Sequence, residues 1–343
     1  MEAREPHRPS GRFWIITSTL VVLILSPLFF FLLSPDQALF HVSGQKILQG
    51  AVHYRDIVDV KPPLIYHVYA LAILLFGNSE AASHILDFIL QVITCGLLAA
   101  IIRRASNDDV WAAAAACSYG IIYVSLSSGS TGLAESYTGI LALPAVWLLM
   151  YRRTTTAFVL VGVLCGLLFV LKYTLAIVLG AAIIAELLVS RVELRAWLRS
   201  SALMIAGFAI VMALFAVYIV GLGALPGLRE MNEFLGSYIQ LSGPSPRDWI
   251  SHTMIALPTY LGEGYTLTYL IATVGGIVLS LRMQRDDEST TQRLLRVCTI
   301  AFILLFISVL IETRYGGGSF SRLLPFGIPL ATYAALRFMR RMK

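Results

Sequence analysis

The groups that could carry chemistry gather in one stretch, Ser34 to Phe76. It holds Asp36, then Tyr54-Arg55-Asp56, then Asp59-Val60-Lys61-Pro62-Pro63 ahead of Leu64-Ile65-Tyr66. A carboxylate that accepts a hydroxyl proton, with cations that steady a departing phosphate, is the equipment for moving a group off an activated phosphate donor. Asp36 suits two roles. It can cap a short helix expected over 38–49, with Phe40, Ile47 and Leu48 on one side. It can also be a carboxylate held at the water–lipid boundary, where a lipid-carried substrate presents its head group. Lys61 stands before two prolines that start a helix at Leu64, near the positive end of that helix's dipole. That is a natural place to catch a phosphate; the plainer role is a lysine snorkelling to the interface. Arg55, Asp56 and Asp59 can pair with one another or with Lys61, and Tyr54 and Tyr66 are placed to position a substrate.

Further groups follow. Glu135 opens an apolar run, either as a helix-start acid or as a second functional carboxylate. Lys172-Tyr173 interrupts a long apolar stretch, where a charge is costly unless it is paired or functional. Arg314 and Arg322 flank Gly316-Gly317-Gly318, and Asp87 lies one turn after His84, with which it could pair. The six histidines are scattered without a ligand-pair spacing, so no metal site is predicted. No Gly-rich phosphate loop and no Gly-x-Ser-x-Gly elbow is present. The four cysteines all lie in apolar runs and read as packing residues.

The elements that must position these groups are membrane helices. Of the 343 residues 57% are hydrophobic and 13% charged, against about a quarter charged in soluble domains. An all-α, polytopic transmembrane bundle is expected, as a single domain over 1–343. About ten spans are predicted, near 13–33, 80–102, 110–126, 135–151, 156–171, 174–190, 201–221, 264–281, 297–312 and 322–338. The apolar run 63–76 is too short for a span and reads as an interfacial helix inside a long first outer loop, 34–79. With that assignment, Lys46, Arg55, Lys61, Lys172, Arg229, Arg247, Arg314 and Arg322 lie outside, and the other 18 of the 26 basic residues lie inside. The bias puts both termini in the cytoplasm and the candidate site on the outer face of the cytoplasmic membrane. The net charge of +6 is therefore an orientation signal, not a nucleic-acid stripe.

The pattern Asp36…Gly50…Tyr54-Arg55-Asp56…Asp59-x-Lys61-Pro62-Pro63-Leu64-x-Tyr66…Leu75-Phe76-Gly77 resembles the GT-C superfamily of membrane glycosyltransferases. The likeness is closest to protein mannosyltransferases and the aminoarabinose transferase of lipid A. It continues through Glu135, Gly162-x-x-x-Gly166…Lys172-Tyr173 and Arg322-Leu323-Leu324-Pro325. The resemblance implies a bundle whose long first outer loop carries interfacial helices. It also implies transfer of a sugar from a polyprenyl-phosphate donor, with inversion, to a hydroxyl of a glycan, lipid or protein. By the same resemblance Asp36 is the catalytic base and Glu135 a second acid. Lys61, Lys172, Arg55, Arg314 and Arg322 are then donor-phosphate ligands, and Tyr54, Asp56, Asp59 and Tyr66 positioning groups. No cofactor is required and a divalent cation is not predicted. The chain departs from the pattern at Gln37, where many relatives carry a second acid, at His84, where arginine is usual, and at Arg322, which replaces a His-Tyr-type pair. A transporter or lipid flippase would instead need polar residues in mid-span and similar halves, and an inactive relative acting as a partner is the remaining alternative.

Overall fold

Apolar runs with few internal breakers make this chain helical almost throughout. The computed structural model describes residues 11–190, 192–242, 248–261, 265–283, 289–312 and 317–342. Fifteen α-helices lie among the described residues. The first five are α1 (Gly11–Leu25), α2 (Pro35–Leu48), α3 (Leu64–Phe76), α4 (Glu80–Ser106) and α5 (Asp109–Ser125). Then come α6 (Thr138–Tyr151), α7 (Thr155–Leu171), α8 (Ile177–Ser190), α9 (Leu194–Gly221) and α10 (Leu225–Ser242). The last are α11 (Trp249–Leu261), α12 (Tyr265–Arg282), α13 (Thr290–Glu312), α14 (Gly317–Ser321) and α15 (Leu324–Met342). The one strand-like contact among the described residues is a single bridge between His53 and Ile57.

Each expected span falls on a helix. Among the described residues five segments are long and apolar enough to cross a membrane: Gly11–Phe30, Glu80–Ser106, Tyr173–Ser190, Leu194–Gly221 and Thr290–Glu312. The others are shorter or more polar; α6 has 14 residues and α5 and α7 have 17 each. Length and composition therefore support an integral membrane protein without fixing the count at ten. The outer surface agrees, because side chains such as Phe30, Leu214, Val217 and Leu281 stand more than half exposed and suit contact with lipid.

Two close helix approaches frame the molecule. At Gly162 of α7 an added Cβ would lie 1.9 Å from the Met204 carbonyl of α9, and at Gly207 of α9 one would lie 2.0 Å from the Val159 carbonyl. Small residues let the two backbones touch, as is usual for helices packed in lipid. The same device joins the two short helices of the first loop, where Gly44 of α2 lies against the backbone of Ala70 of α3. At 13 residues, α3 is about 20 Å long, shorter than the hydrocarbon core, as the length of its apolar run predicts.

The short helix ahead of it differs from expectation. It begins at Pro35, not 38, because Ser34 caps it: the Ser34 hydroxyl accepts from the Gln37 amide while the Gln37 side chain accepts from the Ser34 amide. Asp36 is thus in the first turn and is not the cap. The apolar side is also different, since Phe40 is buried while Leu48 is 46% exposed. Asp87 does not pair with His84. It accepts from the Tyr123 hydroxyl at 2.9 Å and from the Gln91 amide at 3.0 Å, inside the bundle.

Candidate functional site

The first cluster forms where the start of α2 meets the approach to α3. Lys61 Nζ lies 3.5 Å from Asp36 Oδ1 and 3.7 Å from Asp59 Oδ2, and sits 5.1 Å above the Phe40 ring. Asp36 remains 52% exposed and Lys61 33%. Asp59 is held in place, its Oδ2 accepting from the Tyr66 hydroxyl at 2.5 Å and its Oδ1 from the Lys61 amide at 3.3 Å. The Lys61 carbonyl accepts twice, from Tyr54 at 2.9 Å and from His53 Nε2 at 2.9 Å. A carbonyl can only accept, so His53 carries its proton on Nε2, and its buried Nδ1 has no partner. Burial pushes the His53 pKa down to about 4, and burial also raises that of Tyr54, whose backbone takes a left-handed turn at φ +69°. Lys61 is therefore fixed through its backbone, and its ammonium is left between two carboxylates.

A second cluster lies deeper, where four helix ends converge. Glu135 sits in the 3-10 turn Ala134–Tyr137 that leads into α6, and Lys172 follows the last residue of α7. Glu312 ends α13, and Arg322 lies between α14 and α15. Arg322 grips Glu312 with both ends of its guanidinium, at 2.5 and 2.8 Å, and reaches Glu135 at 3.2 Å. Lys172 bonds Glu135 and, at 2.9 Å, Glu312. Thr174 donates to Glu312, and Arg322 donates to Ser308 at 3.1 Å. Among the described residues the cluster holds two acids and two bases. Arg322 is wholly buried, while Lys172 is 25% exposed.

The two clusters are coupled. Tyr54, which bonds the Lys61 carbonyl, also meets the Tyr173 hydroxyl at 2.6 Å, next to Lys172. Gln37, next to Asp36, donates from its side-chain amide to the Thr131 carbonyl at 2.7 Å, and Tyr69 donates to the Gly132 carbonyl at 2.9 Å. Those bonds fix the loop that delivers Glu135. The position where relatives are expected to carry a second acid is thus a latch between the two regions.

Not every expected residue joins them. Arg55 pairs with Asp56 at 2.7 Å and donates to the Leu222 carbonyl at 3.1 Å, while Asp56 accepts from the Val52 amide. Bonds from Arg55 lower the Asp56 pKa, and the pair closes the loop against the end of α9. Arg314 lies outside the described residues. Glu312, His53, Thr174 and the latch role of Gln37 were not among the expected site residues. Ser34-x-x-Gln37 has capping-box spacing and was a readable signal for the helix start. Among the described residues no three His, Cys, Asp or Glu side chains gather as metal ligands.

With this geometry in hand, likenesses to known proteins can be weighed. The chain shares its fold with the oligosaccharyltransferase structures of Archaeoglobus fulgidus. The family model described as dolichyl-phosphate-mannose-protein mannosyltransferase matches residues 60–220, a span that takes in Lys61, Glu135 and Lys172. Among solved structures, the oligosaccharyltransferase AglB of Archaeoglobus fulgidus, in complex with an inhibitory peptide and a dolichol-phosphate, matches at TM-score 0.58 and 12% identity, covering 96% of this chain and 52% of that one. The apo form of the Archaeoglobus fulgidus oligosaccharyltransferase matches at TM-score 0.59 and 12% identity, covering 97% and 52%. ArnT of Cupriavidus metallidurans, bound to undecaprenyl phosphate, matches at TM-score 0.44 and 12% identity, covering 95% and 78%. This chain thus spans about half the length of the oligosaccharyltransferase structures. No curated protein matches it in sequence.

Proposed function

We propose that this chain is an inverting glycosyltransferase that moves a sugar from a polyprenyl-phosphate donor to an acceptor hydroxyl at the outer face of the cytoplasmic membrane. The observation that carries the reading is the half-exposed Asp36 carboxylate beside the Lys61 ammonium, 3.5 Å away, on two elements fixed by a capping box and a double proline. The fold, and the family match through Lys61, Glu135 and Lys172, support it. A dolichol-phosphate held by one structure of the same fold supports a lipid phosphate as leaving group.

In this mechanism the acceptor oxygen attacks the anomeric carbon from the side opposite the phosphate. Its proton passes to Asp36 as the new bond forms, and the bond from the anomeric carbon to the phosphate oxygen breaks with its electrons leaving on the phosphate. Once protonated, Asp36 no longer holds Lys61 by charge, so the ammonium turns to the phosphate as negative charge develops there. One base suffices because the phosphate leaves without a proton. Asp59 and Tyr66 keep the lysine near both groups. Glu135 and Lys172 position substrate hydroxyls or the phosphate from the deeper side, with Lys172 as the member exposed enough to reach them. The acceptor is a hydroxyl of a glycan, lipid or protein, and no cofactor enters any step.

The test is transfer from polyprenyl-phosphate sugars by the purified chain and by Asp36→Asn, with the anomeric configuration of the product determined. Transfer by the variant at the wild-type rate, or retention of configuration, would overturn the reading.

A further inference from the structure

Charge is concentrated again at the opposite end of the bundle. From Leu324, beside Arg322, to Arg340, α15 rises about 24 Å, most of the depth of a bilayer's hydrocarbon core. There its last turns and the start of α5 enclose a cavity of about 250 Å³ lined by Asp108, Trp111, Tyr333, Arg337, Arg340 and Arg341.

The walls hold one another in place. Arg340 Nη2 donates to Asp108 Oδ2 at 2.7 Å, and the other oxygen of Asp108 caps α5 by accepting from the Trp111 amide at 3.0 Å. Arg337 donates to the Tyr333 hydroxyl at 2.9 Å. The Tyr333 ring lies 5.1 Å from that of Trp111, whose indole N–H is anchored to Pro329 and Thr332. Arg341 makes no ion pair or side-chain hydrogen bond among the described residues and stands exposed at the rim. Three guanidiniums therefore face one carboxylate, two of them already oriented. Guanidinium groups bind phosphate through paired hydrogen bonds, so such a cup suits a phosphate oxyanion.

The surroundings favour one source. Phe338, Met339 and Met342 on the same turns of α15 are 63%, 47% and 68% exposed. They project from the face of α15 away from the arginines, and their exposure marks these turns as lying at the lipid boundary, the level of the head groups. We propose that this cavity binds the phosphodiester head group of an anionic membrane lipid. The site is separate from the proposed transfer chemistry and does not depend on it. Basic pockets at a membrane surface recognise anionic lipids in this way. The competing role, in which the arginines serve only to orient the chain, requires no preference among lipids.

The experiment is native mass spectrometry of the full chain in neutral detergent, offered equal amounts of phosphatidylglycerol and phosphatidylcholine. Wild type is expected to retain one phosphatidylglycerol in preference to phosphatidylcholine, and millimolar inorganic phosphate is expected not to displace it. The variant R337Q/R340Q/R341Q is expected to lower that retention by about tenfold or more, since charge-assisted bonds are lost, while sugar transfer is unchanged. Equal retention of the two lipids, or unchanged retention by the variant, would overturn the proposal. Displacement by phosphate would assign the cavity to a soluble anion and overturn it as well. If the triple variant does not fold, Arg341→Gln decides, because it removes no bond from the fold: weaker phosphatidylglycerol retention, restored by Arg341→Lys, supports the proposal, and wild-type retention overturns it.

Discussion

The loop cluster and the deep cluster use the same ingredients under opposite conditions. Asp36 and Lys61 are 52% and 33% exposed and meet at 3.5 Å, and Lys61 reaches Asp59 at 3.7 Å. In the deep cluster Arg322 has no exposure, Glu135 and Glu312 are 9% and 12% exposed, and contacts run to 2.5 Å. Long contacts between exposed ions contribute little to stability and exchange readily, so Asp36 and Lys61 are free to change partners during a reaction. Buried ions cost several kcal/mol each to desolvate, so they persist only when fully matched. Charge type alone does not separate the two clusters; exposure does. The proposed mechanism needs such a contrast, with exchangeable ions in the loop and a clamp on four helix ends in the interior.

Paired substitutions break the contrast if it is wrong. Replacing Asp36 by Asn is expected to lower sugar transfer by about 10²- to 10⁴-fold, the usual contribution of a general base. Its thermal unfolding should stay within a degree or two of wild type, ~1 kcal/mol or less being typical of an exposed pair. Arg322→Met should do the reverse at the level of folding. It removes the paired bonds to Glu312 and the bond to Glu135 and leaves Lys172 facing both carboxylates, at a cost of about 3–5 kcal/mol, read as early heat-induced loss of monodisperse protein. Adding Glu312→Leu should recover much of that loss, because Glu135 and Lys172 remain a balanced pair. A double variant no better than Arg322→Met would show that the cluster is not a charge-matched clamp.

The coupling between clusters sharpens the comparison at a smaller scale. Gln37→Ala removes the bond to Thr131 and half of the capping box, which should destabilise by about 1–3 kcal/mol, the usual cost of leaving a buried group unpaired. Gln37→Glu keeps an acceptor for the Ser34 amide but cannot donate to Thr131. It should be destabilised as well and should not raise transfer. A more active Gln37→Glu would mean that a second loop acid serves catalysis and that the latch is incidental.

The sequence made the helices legible because apolar runs of membrane length admit few other structures. Lys61 stood out in the sequence because it precedes a double proline, and Asp36 because it follows an apolar run; that Ser34 and not Asp36 caps the helix was missed, although Ser34-x-x-Gln37 has the spacing. Glu312 was not legible. A lone acid at the end of an apolar run, close to Arg314, reads as an interface residue, and nothing local names its partner as Arg322, beyond Gly316-Gly317-Gly318 in the sequence. Asp87 misled for the same reason. Two polar neighbours flank it on the helix, His84 at i−3 and Gln91 at i+4; the carboxylate takes Gln91 and, across the helix packing, Tyr123, which no spacing rule names. Arg55 and Asp56 pair with each other, one of the two arrangements their spacing allowed, and hold the loop to the end of α9 rather than joining the ion pairs around Lys61.

The smallest expected effect concerns His53, which joins the loop cluster through the Lys61 carbonyl yet lies buried like the deep one. Burial lowers its pKa in the folded protein from 6.5 to about 4. Between those values the unfolded chain binds a proton that the folded chain does not, so stability falls as pH drops from 6.5 toward 4. At neutral pH the effect is nil. Near pH 4, where folded His53 itself takes up a proton, the loop holding Lys61 should loosen first, since protonation places a charge on an Nδ1 that has no partner. Transfer measured against pH should therefore decline on the acid side in wild type. The decline should move to lower pH in His53→Gln, whose amide nitrogen can still donate to the Lys61 carbonyl but does not titrate. An acid limb that stays in place in His53→Gln would assign it to another group, with Asp36 the first to examine.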